Sequence, residues 1–201
     1  AELLGQQGLP TAAMSIDDFY LPHAERQQLA RTVHPLLATR GVPGTHDVEL
    51  AQAVIESLAD AGTTQVPVFD KATDDRRPRS QWRAVEGPLR AVILEGWCVG
   101  ARPQAASQLA VPVNALERDE DPQGHWRGHV NQALQGRYAT LFARLPPLVL
   151  LAAPSFEVVL AWRTEQERKL RDRLAREGGD GSRVMSDAQI ARFISHYERI
   201  T

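Results

Sequence analysis

Two carboxylates stand side by side at Asp17 and Asp18, directly after the short β-compatible run Thr11 to Ile16. An apolar strand delivers side chains into a site where it ends, so paired acids here suit catalysis or cation binding. Adjacent carboxylates also repel, which raises one pKa or draws in positive charge. The plainer alternative is that both merely cap the next segment. A third acid, Glu95, ends the apolar run Ala91 to Leu94, with Trp97 just beyond it. Glu95 has a structural pair with an arginine as its alternative, and Trp97 is either a pocket wall or plain core.

Two polar stretches and a basic segment supply the other candidates. RGVPGTHD holds two Gly and one Pro in eight residues, a loop in which Arg40, His46 and Asp47 can converge on a small polar acid. Asp47 also reads as a helix N-cap, a compatible role, and His46 outside this loop would be an ordinary hydrogen-bonded histidine. In FDKATDDRRP, Asp70, Lys71, Arg76 and Arg77 put fixed positive charge near a strand end, suited to a carboxylate or phosphate. Such a charge run is otherwise a solvated face. The segment carrying Trp162, Arg163, Gln166, Lys169, Arg171 and Arg173 is densely basic, although Glu165 and Lys169, four apart, also form an ordinary helix-stabilising pair.

These residues need elements to hold them. The spacing predicts a first strand over Thr11 to Ile16, a helix over Glu25 to Leu37 disturbed by Pro35, and a helix from Asp47 to about Ala61. A strand follows around Gln65 to Phe69, then an exposed, aperiodic loop or flap from Asp70 to Arg83. Fully buried strands are expected at Ala91 to Leu94 and Leu148 to Ala152, with a helix between them within Asp119 to Arg144. A charged helix runs from Phe156 to Arg176, a loop covers Gly178 to Ser182, and a last helix begins near Ser186. Alternating strands and helices predict a three-layer α/β domain with a mainly parallel sheet.

The chain has 201 residues, 43% apolar and 24% charged, enough for one sizeable core, and a single domain over 1–201 is expected. A net charge of -2 offers no global attraction to nucleic acid or an anionic membrane. The single cysteine, Cys98, excludes an internal disulfide, and no apolar stretch approaches the length that spans a bilayer. A cytoplasmic protein is expected. The opening AELLGQQGLP reads as a helix tail, and Phe193 to Thr201 stops within a helical pattern, so truncation at both ends is expected.

The segments SIDDFYLP, HPLLATRGVPGTHD, VPVFDKATDDRRP, VILEGWCVG and WRTEQERKLR, in that order, resemble the D-glycerate 3-kinase family of P-loop kinases, alongside uridine kinase, phosphoribulokinase and pantothenate kinase. The resemblance runs from about Leu9 to Thr201. It implies phosphoryl transfer from ATP with Mg2+ to a hydroxyl of a small organic acid, most simply D-glycerate giving 3-phosphoglycerate. It makes Asp17 the acid that orients or deprotonates the hydroxyl, and Asp18 and Glu95 ligands of magnesium through water. It makes the basic helix, within about 156–185, a lid over the ATP phosphates, with Arg163 and Lys169 as its cations. Uridine- or pantothenate-type kinases share the scaffold, and a non-catalytic binding domain is the rival of another class. The string G-x-x-x-x-G-K-[ST], which cradles phosphates in this group, occurs nowhere in the chain. It and the central strand are expected upstream of Ala1, leaving a P-loop fold without its first strand.

Overall fold

The computed structural model describes residues 1–177 and 184–201. The expected loop at Gly178 to Ser182 lies outside the described residues. In chain order the elements are α1 (Glu2–Gln6), β1 (Thr11–Ser15), α2 (His23–Thr32), α3 (Val48–Ser57), β2 (Gly62–Val66), β3 (Phe69–Asp70), β4 (Asp75–Arg76), β5 (Arg83–Gly87) and β6 (Ala91–Glu95). There follow α4 (Ala106–Leu109), α5 (Ala115–Glu120), α6 (His125–Ala133), a π-helical turn (Leu134–Tyr138), α7 (Ala139–Phe142), α8 (Phe156–Glu177) and α9 (Asp187–Ser195). Two compact units form: residues 1–111 with 123–148, and residues 112–122 with 149–201.

The first unit is α/β. Its base is a parallel pair, β1 beside β6, in register from Thr11 opposite Ala91 to Ser15 opposite Glu95. That register brings the acidic ends of both strands to the same edge, as the sequence implies. Alternation buries Ala12 and Met14, and Ile16 and Phe19 continue the core in a 3-10 turn. On β6, by contrast, Ile93 is 41% exposed, so this strand is not fully buried as expected. Among the described residues β1 is its only strand partner, which leaves its other edge uncovered.

The sharpest correction falls on Leu148 to Ala152, which forms no strand; Val149 is 80% and Leu151 94% exposed. An apolar run becomes a parallel strand only when a neighbour takes its N–H and C=O groups, and none of the described residues does. The span Asp70 to Arg83 is more ordered than a loop: β3 and β4 form a hairpin, a 3-10 turn covers Arg79–Gln81, and β5 pairs antiparallel with β2 from Val66–Arg83 to Gly62–Gly87. Both faces of β5 are partly solvated, which hid the apolar alternation of a half-buried strand. The helix expected over Glu25 to Leu37 divides into α2 and a 3-10 turn at Pro35–Ala38, where proline lacks the N–H that would continue it. The helix expected within Asp119 to Arg144 divides likewise into α6, the π-helical turn and α7, with Gly136 off helical geometry.

The second unit is helical. Ser186 and Gln189 form a reciprocal capping box that starts α9, whose Ile190 and Ile194 are buried. Glu117 on α5 and Arg199 form a buried ion pair at 2.5 Å. Among the described residues no helix is long and apolar enough to cross a membrane.

Candidate active site

Asp17 opens the 3-10 turn after β1, where the Ser15 side chain accepts its backbone N–H. Its carboxylate is held at both oxygens: Tyr20 donates its hydroxyl to Oδ1 at 2.9 Å, and Lys71 places Nζ 2.7 Å from Oδ2. Lys71 reaches it from the tip of the β3–β4 hairpin. The neighbouring acid turns the other way, since Asp18 Oδ1 accepts the Phe69 N–H at 3.2 Å. Burial pushes the Asp18 carboxyl above its usual range, with the Asp17 charge adding to the rise and Phe69, Arg83 and Lys71 opposing it. Repulsion within the pair is therefore present but secondary to desolvation.

The loop 40–47 is zipped to the segment after β1. Leu21 donates its N–H to the Thr45 carbonyl at 2.9 Å, and Asp47 donates to Phe19 at 2.8 Å. Gly44 has φ +100, and a Cβ there would lie 3.0 Å from His129 Nε2, so glycine is needed both for backbone angle and for space. His46 is buried, its ring stacked on Tyr20 at 4.4 Å and its Nδ1 2.7 Å from the Tyr138 hydroxyl. Burial lowers the His46 pKa to about 3 against the opposing Asp17 charge, so the imidazole is neutral. Asp47 does cap α3, accepting the Leu50 N–H at 3.0 Å, and its other oxygen lies 3.3 Å from Arg76.

The basic candidates separate by their partners. Arg76 also donates to the Phe19 and Tyr20 carbonyls, at 3.3 and 2.8 Å, and is mostly buried, which makes it a brace beneath the site. Arg77 pairs with Asp70, which caps Ala72, and Arg40 pairs with Asp74 and lies over the Phe69 ring. Lys71 is the one of the four, with Arg40, Arg76 and Arg77, that meets the Asp17 carboxylate. Glu95 is exposed at the end of β6 and forms no ion pair among the described residues, and Trp97 is 36% exposed in the turn beyond it, so it is not core.

Sequence reasoning missed three groups. Tyr20 lies inside a quoted segment but carried no assigned role. Tyr138 lies 92 residues from its His46 partner, beyond any local signal. Arg26, on α2, is fully buried: it donates to the carbonyls of Leu21, Ala38 and Asp74 and pairs with the Asp74 carboxylate at 2.9 Å. In the helical unit, Arg163 lies 2.9 Å from buried Glu167 and over the Phe193 ring, whereas Lys169 is exposed beside Glu165.

Hard carboxylate oxygens at the strand ends fit Mg2+, which binds through one or two carboxylates and otherwise keeps water and phosphate oxygens. Among the described residues no three His, Cys, Asp or Glu side chains converge on one point.

No protein-family model matches the chain. It is 34% identical over 194 residues to the uncharacterized kinase mug58 of Schizosaccharomyces pombe, aligning 91% of this chain with 66% of that one. It is 31% identical over 198 residues to the chloroplastic D-glycerate 3-kinase of Arabidopsis thaliana, aligning 93% of this chain with 39% of that protein. The chain thus spans under two thirds of these relatives. The solved D-glycerate 3-kinase from Cryptococcus neoformans superposes with a TM-score of 0.78 at 29% identity, covering 98% of this chain and 70% of that one. The fold is that of an α/β kinase. The chain belongs to the D-glycerate 3-kinase-like family of P-loop kinases.

Proposed function

We propose that this chain carries the acceptor side of an ATP-dependent kinase that phosphorylates a hydroxyl of a small organic acid, D-glycerate giving 3-phosphoglycerate. The observation that carries it is the Asp17 carboxylate at the end of a parallel strand, held by Tyr20 and Lys71. Asp17 orients the acceptor hydroxyl and takes its proton as that oxygen bonds to the transferred phosphorus and the bond to the ADP oxygen breaks. Lys71 supplies fixed positive charge for an acceptor carboxylate, while Arg40, His46, Asp47, Asp70, Arg76, Arg77 and Trp97 shape or brace the pocket. Magnesium would be held through water by Asp18 and Glu95 and would neutralise phosphate charge. In the helical unit, α8 acts as the lid, with Arg163 and Lys169 as its cations. A reducing, cytoplasmic setting suits a chain with one thiol.

The test is a coupled assay of ADP formation with D-glycerate, uridine and pantothenate in parallel, on this chain and on a version extended upstream through the native gene. Glycerate-dependent turnover supports the assignment. Turnover with uridine or pantothenate alone would move the acceptor, and none with any acceptor in either version would favour a non-catalytic binding domain.

A further inference from the structure

The Tyr138 hydroxyl oxygen accepts the Gly44 N–H at 2.9 Å. A phenol oxygen has two lone pairs and one proton. With the Gly44 N–H on one lone pair, the hydroxyl proton is placed toward His46 Nδ1, its partner 2.7 Å away. That nitrogen accepts, so the ring hydrogen sits on Nε2. His46 is 5% exposed, and its Nε2 has no hydrogen-bond partner. Buried donors are rarely left unmet, and one held by a fixed partner on the opposite nitrogen is prepared for a ligand. Tyr138 itself closes the π-helical turn, a distortion that recurs at functional sites because its extra residue re-aims a side chain.

We propose that Tyr138 is a positioning residue that fixes His46 in the Nε2–H tautomer, so that His46 offers a neutral hydrogen-bond donor to a small carboxylic acid bound in the cleft both residues line. That cleft measures about 830 Å³ and is also lined by Leu21, Gln28, Asp47 and His129. The identity of the acid rests on the kinase reading above; the tautomer does not. A neutral donor suits this position because a fully buried imidazolium would have to be desolvated, whereas an N–H dipole keeps its role whatever the bulk pH.

Long-range 1H–15N correlation of the histidine rings tests this on the labelled chain, with His46 assigned from the signals lost in His46→Gln. The wild type is expected to show the Nε2-protonated pattern, and D-glycerate is expected to move the Nε2 resonance. In Tyr138→Phe the pattern should change to a mixed or Nδ1-protonated one, and glycerate should bind about 10-fold more weakly. An Nδ1-protonated His46 in the wild type overturns the proposal and needs no variant, so it decides even if Tyr138→Phe fails to fold. A folded Tyr138→Phe with unchanged tautomer and affinity overturns it too. A shift with acetate or pantothenate but not glycerate would sink the glycerate assignment and leave the role of Tyr138 standing. No shift with any of the three acids would overturn the donor role.

Discussion

Asp74 anchors the hairpin that carries Lys71 to Asp17, and replacing it with Asn measures how much that anchor contributes. Its carboxylate pairs with Arg26 at 2.9 Å, with Arg40, and with His23 at 3.2 Å. Its backbone sits at φ 57, where Asn is as comfortable as Asp, so the substitution changes charge more than geometry. Removing one partner of a buried pair costs about 3–5 kcal/mol. Here the carboxylate side chain is 34% exposed, and Arg26, although buried, keeps three carbonyl acceptors. The expected loss is therefore about 2–3 kcal/mol, a fall in Tm of about 5–10 °C for a chain of this size. Burial pushes the Asp74 carboxyl up, but the bonds and charges of Arg26 and Arg40 outweigh it and hold the group below its ordinary value. A depressed folded pKa stabilises above the unfolded value, about 3.9, and that contribution fades as pH falls through the folded one. The gap between wild type and Asp74→Asn in urea melts should thus be full at pH 7 and narrow below about pH 4. The control is Asp119→Asn, whose exposed pair with Arg118 should cost under about 1 kcal/mol. Equal melting of wild type and Asp74→Asn at pH 7 would refute the anchoring argument.

Asp17→Asn, in the version extended upstream, should lower kcat about 100-fold or more while ATP binding, read by titration calorimetry, stays nearly intact; loss of ATP binding would give Asp17 a metal role instead. Glu117→Gln removes the carboxylate that Arg199 meets at 2.5 Å and should cost about 3 kcal/mol in denaturant melts; a cost under about 1 kcal/mol would show that this pair contributes little to stability. Arg163→Ala separates brace from lid: loss of the contact to buried Glu167 lowers stability, by about 1–3 kcal/mol, while a lid role also lowers kcat at temperatures where the variant remains folded. Unchanged kinetics in a folded variant would remove Arg163 from the lid.

What was legible in the sequence is local. Asp17 and Asp18 follow a strand, Asp47 starts a helix, and another helix begins near Ser186, each decided within a few residues. What escaped depends on partners distant in sequence. Arg26 drew no reading from its neighbours in sequence, yet carbonyls from three separate stretches and one carboxylate converge on it. Tyr138 gains its meaning from Gly44 and His46. The opposite error, a strand at Leu148 to Ala152, has the same cause: composition offers a strand, and only a neighbour with free N–H and C=O groups makes it one.

Cys98 is buried close enough to Asp17 for that charge to be felt, and burial pushes its thiol up to about 12. At pH 7 only about one molecule in 10^5 then carries the thiolate, the form that peroxide and electrophiles attack. Cys98 is therefore a poor target for oxidants that act through a thiolate, and a dye attached to a cysteine introduced on the surface would report on the loop or the hairpin with little background from this thiol.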